Sequence, residues 1–563
     1  MHSASDSADG LLRPDAAAGS RAARVGAILG SPAGVVIIAI ALVAPSIVWI
    51  FRDLRVWSWD PAYYAEVALK IGRALHGGLL NWLSAFLAVP DSRAPLLPWL
   101  AQATVPLIDV LGAERALLLT NLAAGLVSLG LIYSAARRFG GSAAVGGLAM
   151  LAYAGTPGFV AFNHLFLVEA VQAMTVMGLA WIALRADGLS WPRLAAGTVF
   201  WVSLALLAKT TSAAYVAPFL LYIGIARAGL QRAQPAAKPI DFFLLFGAVL
   251  VAAVTLRWYE LHWSAVTAHV KEATSGDVAL FYGSDGPFLA KLQHWTLGLL
   301  QVLSPFHWLA GCILAVAVFP LPIAVVRSVR GRFAGLLRRA IESHLLFALC
   351  LLATVVAGLV GHAKAIGEDI RFLAPMAPLV VLLFVWSVVT LRRRWLNTAA
   401  LVLLSVNWGA VHAGAECLVV LPRGALAYLV PPLTEPATME RLTRAVREGC
   451  QTAGGLTIIG AELVDFSAGS ASFYAEKMRR TVGYRCDYTS LGYLEADPRR
   501  AIKSVADSRA GFFITLPLGN LPAQGTNRLD RVSRTVAEWI VTSPDFVRVT
   551  PEGDALVIYR RRR

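Results

Sequence analysis

Four ionisable residues of this 563-residue chain lie at the ends of apolar segments, and their types suit chemistry on a phosphate. Asp60 and Glu169 are carboxylates, which can deprotonate an attacking hydroxyl group or hold a divalent metal ion. Lys209 and Arg371 are cations, which can bind a phosphate group. Because an ionisable group at the edge of an apolar span is costly unless it is paired or hydrated, each is a candidate functional residue. The set would match a phosphate leaving group carried on a lipid.

Each of these residues also has a structural interpretation. Glu169 could serve only as the ion-pair partner of Lys209 or Arg371, and Lys209 could extend its side chain from a helix end to the membrane interface. Arg371 could be an interfacial arginine paired with one of the two preceding acids, Glu368 or Asp369. Asp60 could cap a surface helix, a role that is compatible with catalysis.

The composition indicates that these residues belong to a membrane protein. Of the chain, 57% is hydrophobic and only 15% is charged, with a mean hydropathy of +0.62, which excludes an ordinary soluble domain. Uncharged windows predict about eleven transmembrane helices. They lie near residues 32–51, 116–136, 141–163, 165–184, 194–208, 210–226, 242–256, 295–326, 345–361, 372–391 and 395–413.

The net charge of +15 does not indicate nucleic-acid binding, because the basic residues cluster between the predicted spans. Counted from a cytoplasmic N-terminus, these clusters all fall on the cytoplasmic face, as the positive-inside rule expects. The clusters are Arg137 with Arg138, Arg185 with Arg193, Arg227 with Arg232 and Lys238, residues 327–339, and residues 392–394. The same count places Asp60, Glu169, Lys209 and Arg371 together on the opposite, outer face.

The chain is therefore predicted to have three parts. Residues 1–30 are predicted to form a disordered cytoplasmic tail, residues 31–413 the transmembrane domain in the cytoplasmic (inner) membrane, and residues 414–563 an extracytoplasmic, periplasmic domain. Within the transmembrane domain, the outer loops cover residues 52–113, 259–294 and 362–370. Loops of this length usually carry function.

The first outer loop begins with a helix signature. Asp60 followed by Pro61 predicts a helix start at which the carboxylate accepts from free backbone N–H groups. Apolar residues then recur at helical spacing from Tyr64 to Leu75, which favours an amphipathic helix along the bilayer surface. Trp57 and Trp59 are interpreted as interfacial anchors of this loop.

The C-terminal part alternates between strand and helix patterns. Apolar runs at 456–461, 511–517 and 555–559 predict strands, and charged periodic stretches at 437–449, 471–479 and 527–541 predict helices. This alternation indicates a small α/β domain without a nucleotide-binding glycine motif. Of its three cysteines, Cys450 and Cys486 could form one disulfide.

Five segments, in chain order, resemble those of the GT-C membrane glycosyltransferases, in particular the dolichyl-phosphate-mannose protein mannosyltransferase and lipid A aminoarabinose transferase type. They are "WDPAYYAEVA" with Asp60, "RAPLLPWLAQA" at 93–103, the acidic position Glu169, "SLALLAKTT" with Lys209, and "RFLAPMAP" with Arg371. The chain departs from the family pattern at two places. Pro61 replaces the second acid of the usual pair, and Thr210 replaces a glycine.

The resemblance implies a polytopic α-helical GT-C fold and an inverting transfer of a hexose or pentose from a polyprenyl-phosphate donor. The acceptor would be a lipid, a glycan of the cell envelope or a protein, on the outer face of the cytoplasmic membrane. Asp60 would be the general base, and Lys209 and Arg371 would bind the donor phosphate. Glu169 would orient the acceptor or, with Asp60, bind a divalent cation such as Mg²⁺ or Mn²⁺.

Four further residues have auxiliary roles toward the acceptor in this interpretation: His164, Tyr63, Tyr64 and Glu66. Glu66, about a turn and a half along the helix from Asp60, would replace the missing second acid. The competing function is a transporter or flippase of lipid-linked or small polar substrates, which would place its charges near the middle of several spans and show paired, broken helices. This sequence keeps its charges at span ends.

Overall fold

The computed structural model is mostly helical, and its apolar helices build one membrane domain. The structure describes residues 30–89, 92–229, 235–304, 344–391, 394–413, 436–449, 455–463, 466–482, 486–491, 495–522 and 530–562. The predicted cytoplasmic tail and most of the predicted span at 295–326 lie outside these residues.

The described residues of the membrane domain form a series of α-helices. They are α1 (Pro32–Arg52), α2 (Trp59–Ala74), α3 (Leu79–Ala88), α4 (Leu96–Leu100), α5 (Ile108–Leu111), α6 (Ala113–Gly140), α7 (Ala143–Ala154), α8 (Pro157–Asn163), α9 (Val168–Leu184), α10 (Trp191–Ala208), α11 (Ala213–Gly229), α12 (Pro239–Ser275), α13 (Asp277–Tyr282), α14 (Phe288–Leu303), α15 (Leu345–Lys364), α16 (Met376–Leu391) and α17 (Arg394–His412).

Seven helices within the described residues are long and apolar enough to cross a membrane, or eight if the bent pair α7 and α8 counts as one span. The pair bends by 67° between Ala154 and Pro157. Helix α9 and the apolar stretch Thr398–His412 are shorter. The polytopic helical fold is thus confirmed, whereas the number eleven stays a prediction.

Helix α12 replaces part of a predicted loop. Its 37 residues run without interruption from Pro239 to Ser275. At 1.5 Å per residue it is about 56 Å long, well beyond the roughly 30 Å of a hydrocarbon core. The segment from residue 259 to Ser275 is therefore a helical extension of a membrane span.

The predicted C-terminal α/β domain is confirmed. Its elements are α18 (Pro436–Gly449), β1 (Leu456–Ile459), α19 (Ala468–Val482), β2 (Asp487–Ser490), α20 (Pro498–Asp507), β3 (Phe512–Thr515), α21 (Ser533–Thr542), β4 (Phe546–Arg548) and β5 (Val557–Arg561). The sequence pattern missed strands β2 and β4 and helix α20. Cys486 is disulfide-bonded, and Cys450 lies outside the described residues.

The sheet has the strand order β2-β1-β3-β5-β4. Strands β1, β2 and β3 are parallel, and β5 is antiparallel to both β3 and β4. Because successive side chains point to opposite faces, Ile459 and Ile514 join an apolar cluster with α18, α19 and the membrane domain, whereas Ile458 and Phe513 pack with α20 and α21. The domain is thus a three-layer sandwich whose inner face continues into the membrane domain.

Helix α2 lies inside this continuous core, and the prediction of a bilayer-surface helix is wrong. Its apolar residues Val67, Ala68 and Ile71 are buried, and α19 packs along it. Trp57 is not an interfacial anchor either, because its ring is stacked between Phe166 and Phe473, with centroid distances of 5.7 and 5.5 Å. The C-terminal domain, not lipid, covers the helix.

Two buried carboxyl groups at the carboxyl end of the sheet make stability depend on pH. Burial raises the pKa of Glu462 to about 7 and also raises the pKa of Asp530, whose carboxylate accepts the Glu462 backbone N–H at 3.1 Å. The pKa of Glu462 is higher in the folded state than in the unfolded chain. The stability that Glu462 contributes is therefore complete at pH values below its unfolded pKa and is lost as pH rises through 7.

We therefore expect the protein to lose on the order of 1 kcal/mol of stability between pH 6 and pH 8 through Glu462. Thermal unfolding followed at both pH values would measure this loss. The Glu462→Gln variant, which cannot ionise, should show a smaller difference between the two pH values. An equal difference in both proteins would assign the pH dependence to other groups.

Candidate functional site

Asp60 lies in the first turn of α2 and does not cap it. The N-cap position is Ser58, and its side chain makes no capping hydrogen bond. The Asp60 carboxylate instead accepts from two arginines, from Arg93 Nη1 to Oδ1 at 2.5 Å and from Arg371 Nη2 to Oδ2 at 3.3 Å. The interpretation of Asp60 as the helix cap is therefore wrong, and both of its oxygens face cations.

Arg93 is the functional candidate that the sequence analysis missed. It opens the segment "RAPLLPWLAQA", so its position was visible in the chain, but a lone arginine carries no signal of its own. Its guanidinium lies 4.6 Å from the Tyr63 ring centroid and 5.9 Å from that of Tyr64. The two tyrosines thus support the cation that binds Asp60.

Arg371 is held by the acid two residues before it. Asp369 caps the short 3₁₀ helix Ile370–Leu373, with Oδ1 accepting the Arg371 backbone N–H at 3.0 Å and Oδ2 accepting from Nε at 2.6 Å. The guanidinium therefore bridges Asp369 and Asp60. Arg371 thus pairs with Asp369, as its structural interpretation expected, and it contacts Asp60 as well. Glu368 is not its partner and accepts instead from the Ser284 hydroxyl.

Glu169 and Lys209 form the second ion pair of the site. Glu169 lies in the first turn of α9 and is buried, and Lys209 follows the last residue of α10 with an extended backbone. Lys209 Nζ donates to Glu169 Oε1 at 2.8 Å and lies 4.0 Å from the centroid of the Phe372 ring. Since Phe372 is the neighbour of Arg371, the pair lies next to the Asp60 group, and Lys209 turns inward instead of extending to the interface.

The remaining predicted residues have contacts of their own. Glu66 forms an ion pair with Lys70 one turn further along α2, at 2.6 Å. His164 is buried and its ring stacks on Trp49, with centroids 4.0 Å apart and planes 2° from parallel. These contacts give both residues a structural role, and their action on an acceptor stays a prediction.

The charges of the site determine the protonation of Asp60. Burial alone would raise its pKa, but Arg93 and Arg371 outweigh burial and hold the pKa of Asp60 well below its usual range. Burial likewise opposes the charge of Arg93, and Asp60 more than compensates, so that the pKa of Arg93 rises above its usual value. Asp60 is therefore an anion at physiological pH, and a weak base for as long as it keeps both arginines.

A divalent cation was predicted for Asp60 and Glu169, and in this structure both carboxylates contact cationic side chains. Both oxygens of Asp60 and one oxygen of Glu169 accept from cationic side chains. The described part of the chain contains no group of three or more His, Cys, Asp or Glu residues that could hold a metal ion. Because Mg²⁺ can also be bound through one or two carboxylates with water as its other ligands, the divalent cation stays a prediction.

Residues of the second outer loop, 259–294, hold the loop that carries Asp369 and Arg371 in place. Lys291 of α14 is buried, and its Nζ donates to the Ser284 carbonyl oxygen at 3.1 Å and to the Ala365 carbonyl oxygen. Beside it, Gly283 pairs with Gly367 in an isolated β-bridge. The second outer loop and the loop of Asp369 are therefore held together at Gly367, two residues before Asp369.

Gly283→Ala is expected to disturb this loop, because a Cβ atom there would lie 1.8 Å from the Ile366 carbonyl oxygen. Since the clash is with backbone, we expect a destabilisation of about 1–3 kcal/mol. Thermal unfolding would measure it. The matched control is Gly286→Ala, whose Cβ would have its nearest contact at 3.3 Å with the Ser284 hydroxyl. Equal melting temperatures of the two variants would contradict the close packing.

Comparison with known proteins agrees with this fold. Residues 92–258 match the family model described as dolichyl-phosphate-mannose-protein mannosyltransferase. This range includes Arg93, Glu169 and Lys209 but neither Asp60 nor Arg371. No curated protein sequence matches the chain.

Solved structures resemble almost the whole chain. The crystal structure of ArnT from Cupriavidus metallidurans bound to undecaprenyl phosphate has a TM-score of 0.54 at 13% identity, with 94% of this chain and 98% of that chain covered. The apo state of the same protein has a TM-score of 0.52 at 15% identity, with the same coverage. An oligosaccharyltransferase from Archaeoglobus fulgidus, in complex with Zn and sulfate, has a TM-score of 0.45 at 13% identity, covering 86% of this chain and 67% of that chain. The resemblance to the GT-C membrane glycosyltransferases is thus confirmed at the level of the fold.

Proposed function

We propose that this GT-C fold membrane protein transfers a sugar from a polyprenyl-phosphate-linked donor to the hydroxyl or amino group of a lipid, glycan or protein acceptor, with inversion at the anomeric carbon. The reaction takes place on the outer face of the cytoplasmic membrane, where the positive-inside count places Asp60. The observation that carries the proposal is the meeting of Asp60 with Arg93 and Arg371, next to the pair of Glu169 and Lys209.

The cations of this group can bind a phosphate-bearing substrate. Three cations, Arg93, Arg371 and Lys209, stand against three carboxylates, Asp60, Asp369 and Glu169. A donor phosphate that enters must compete with a carboxylate for a cation. Arg371 and Lys209 are its partners in this proposal, because guanidinium and ammonium groups both bind phosphate oxygens. ArnT, which shares the fold, has been crystallised with undecaprenyl phosphate, and this supports the same class of lipid here.

The exchange of partners would activate the base. When the donor phosphate takes Arg371 from Asp60, the carboxylate loses one of the two arginines that lower its pKa, so its basicity rises at the moment the donor is in place. Asp60 then accepts the proton of the acceptor hydroxyl. The acceptor oxygen bonds to the anomeric carbon on the face opposite the phosphate.

The bond that breaks is the one between the anomeric carbon and the phosphate oxygen. The donor is a phosphodiester with one negative charge, and the polyprenyl phosphate that leaves gains a second. Arg371 and Lys209 stabilise this new charge at the leaving oxygen. Glu169 keeps Lys209 in place through their ion pair, so its role in this mechanism is to position the cation.

Reconstituting the purified protein in liposomes tests the proposal. We expect transfer of radiolabel from a polyprenyl-phosphate sugar to an envelope lipid, glycan or protein, with one donor in a panel of hexoses and pentoses preferred. Inverted configuration of the product, read by NMR, would support the mechanism. Absence of transfer from every donor, combined with movement of the lipid-linked sugar between leaflets, would overturn the proposal in favour of a flippase.

A further inference from the structure

The residue before Asp60 has an unusual backbone conformation. Trp59 has a φ of 44°, in the left-handed region that bulky side chains rarely adopt. Such a conformation persists where the surrounding structure holds it, and it is often found next to a functional residue. Because Trp59 begins α2, its backbone sets the direction in which Asp60 leaves the first turn.

The C-terminal domain holds Trp59 by its side chain and its backbone. The indole Nε1–H of Trp59 donates to Glu462 Oε2 at 3.3 Å. Glu462 is only 6% exposed, and its backbone N–H is bound by Asp530. The first turn of α19 also lies against Trp59, since a Cβ atom at Gly469 would be 3.4 Å from the Trp59 nitrogen.

The contact lies at the end of the sheet where α/β domains usually bind ligands. Glu462 follows β1, three residues after its last residue, Ile459. In open α/β sheets the crevice beyond the carboxyl ends of parallel strands is the common ligand site. Here a carboxylate from that end binds the residue preceding Asp60, and α19 is tied to the membrane domain at two further points. These are the ion pairs of Arg73 with Glu476 and of Glu114 with Lys477.

We propose that Glu462 is a positioning residue for sugar transfer: by accepting the Trp59 indole N–H, the C-terminal domain directs the Asp60 carboxylate toward the acceptor. The inference rests on the proposed function and assigns a role to the C-terminal domain in it. Arg371, Lys209 and Arg93 lie on other elements, so Glu462 acts on the base and not on the cations that bind the donor.

Three substitutions test this role. Glu462→Ala removes the acceptor, Trp59→Phe removes the donor and keeps an aromatic ring, and Glu462→Gln keeps an acceptor oxygen. We expect the first two to lower kcat by about 10- to 100-fold with little change in KM for the lipid donor, because a small misplacement of a catalytic group has effects of this size. Glu462→Gln should retain most of the activity.

The double variant Trp59→Phe with Glu462→Ala should be no worse than either single variant, since both remove the same hydrogen bond. The control is Glu538→Ala, which removes an exposed carboxylate of the same domain that pairs with Arg534. Additive losses, or a rise in KM as large as the fall in kcat, would overturn the proposal.

Hydrogen exchange gives a readout that does not depend on activity. In Glu462→Ala the amides of residues 59, 60 and 62–64 should exchange faster than in the wild-type protein, and in Glu462→Gln and Glu538→Ala they should not. Unchanged exchange in Glu462→Ala would overturn the positioning role. If the wild-type protein transfers no sugar, the proposed function fails, while the exchange measurement still decides whether Glu462 holds the first turn of α2.

Discussion

Replacing Asp60 with asparagine is expected to lower kcat for sugar transfer by about 10²- to 10⁴-fold, the usual contribution of a general base. The amide has nearly the shape of the carboxylate but cannot accept the acceptor proton. It also leaves Arg93 and Arg371 without their shared anion. The measurement is single-turnover transfer from the radiolabelled donor, because this separates the chemical step from binding and product release.

The Asp60→Asn variant should bind the donor at least as well as the wild-type protein does, because Arg371 no longer has to leave a carboxylate at position 60. Donor affinity, measured with a non-transferable polyprenyl phosphate, therefore distinguishes loss of the base from loss of the site. Glu260→Gln is the matched control, since this exposed carboxylate pairs only with Arg257 among the contacts of the described residues. Transfer at the wild-type rate by Asp60→Asn would remove Asp60 from the mechanism.

Replacing Arg371 with glutamine is expected to reduce kcat/KM by about 10²- to 10³-fold, as is usual for the loss of one group that stabilises charge in the transition state. The neutral side chain can neither attract the donor phosphate nor stabilise the charge that develops on it. Arg371→Lys keeps the charge but cannot bridge Asp369 and Asp60 as the guanidinium does. Its kcat/KM should therefore lie between that of Arg371→Gln and that of the wild-type protein. Initial rates over a range of donor concentrations would measure both.

The pH dependence of Arg371→Gln gives a second, independent result. Arg371 is one of the two arginines that hold the pKa of Asp60 down, so its removal raises that pKa toward the ordinary range. In the wild-type protein the acidic limb of kcat/KM from Asp60 lies below the usual range of aspartate, and in the variant it moves to higher pH. Arg257→Gln, the exposed partner of Glu260, is the control. An acidic limb that stays in place would contradict the contact between Arg371 and Asp60.

Hydrophobicity and charge patterns predicted the class of fold and the chemical types in the site. Long apolar runs identify the membrane spans, and a charge next to a span must be paired or hydrated. The positions of Asp60, Glu169, Lys209 and Arg371 at the ends of such runs were therefore sufficient to predict them as site residues. The C-terminal sandwich was also readable, since the apolar runs at 456–461 and 511–517 contain β1 and β3 and the run at 555–559 overlaps β5. Each of these inferences depends on neighbours along the chain.

The partners in the site were not readable in the same way. The sequence left Glu169 free to pair with either Lys209 or Arg371, and Arg93 drew no attention. Only the packing of α2 against the loop at Arg93 and the 3₁₀ helix at Arg371 brings these residues to one carboxylate across separations of 33 and 311 positions. No local propensity encodes a contact of that kind.

Sequence alone determined that this is a helical membrane protein with cations and carboxylates at the ends of its spans, because burial of apolar surface and the cost of unpaired charge are properties of short segments. The tertiary structure decided that α2 is covered by protein and not by lipid, that Asp60 faces two arginines instead of capping its helix, and that Glu462 reaches Trp59. These are long-range contacts, and they depend on which surfaces pack together when the C-terminal domain meets the membrane domain.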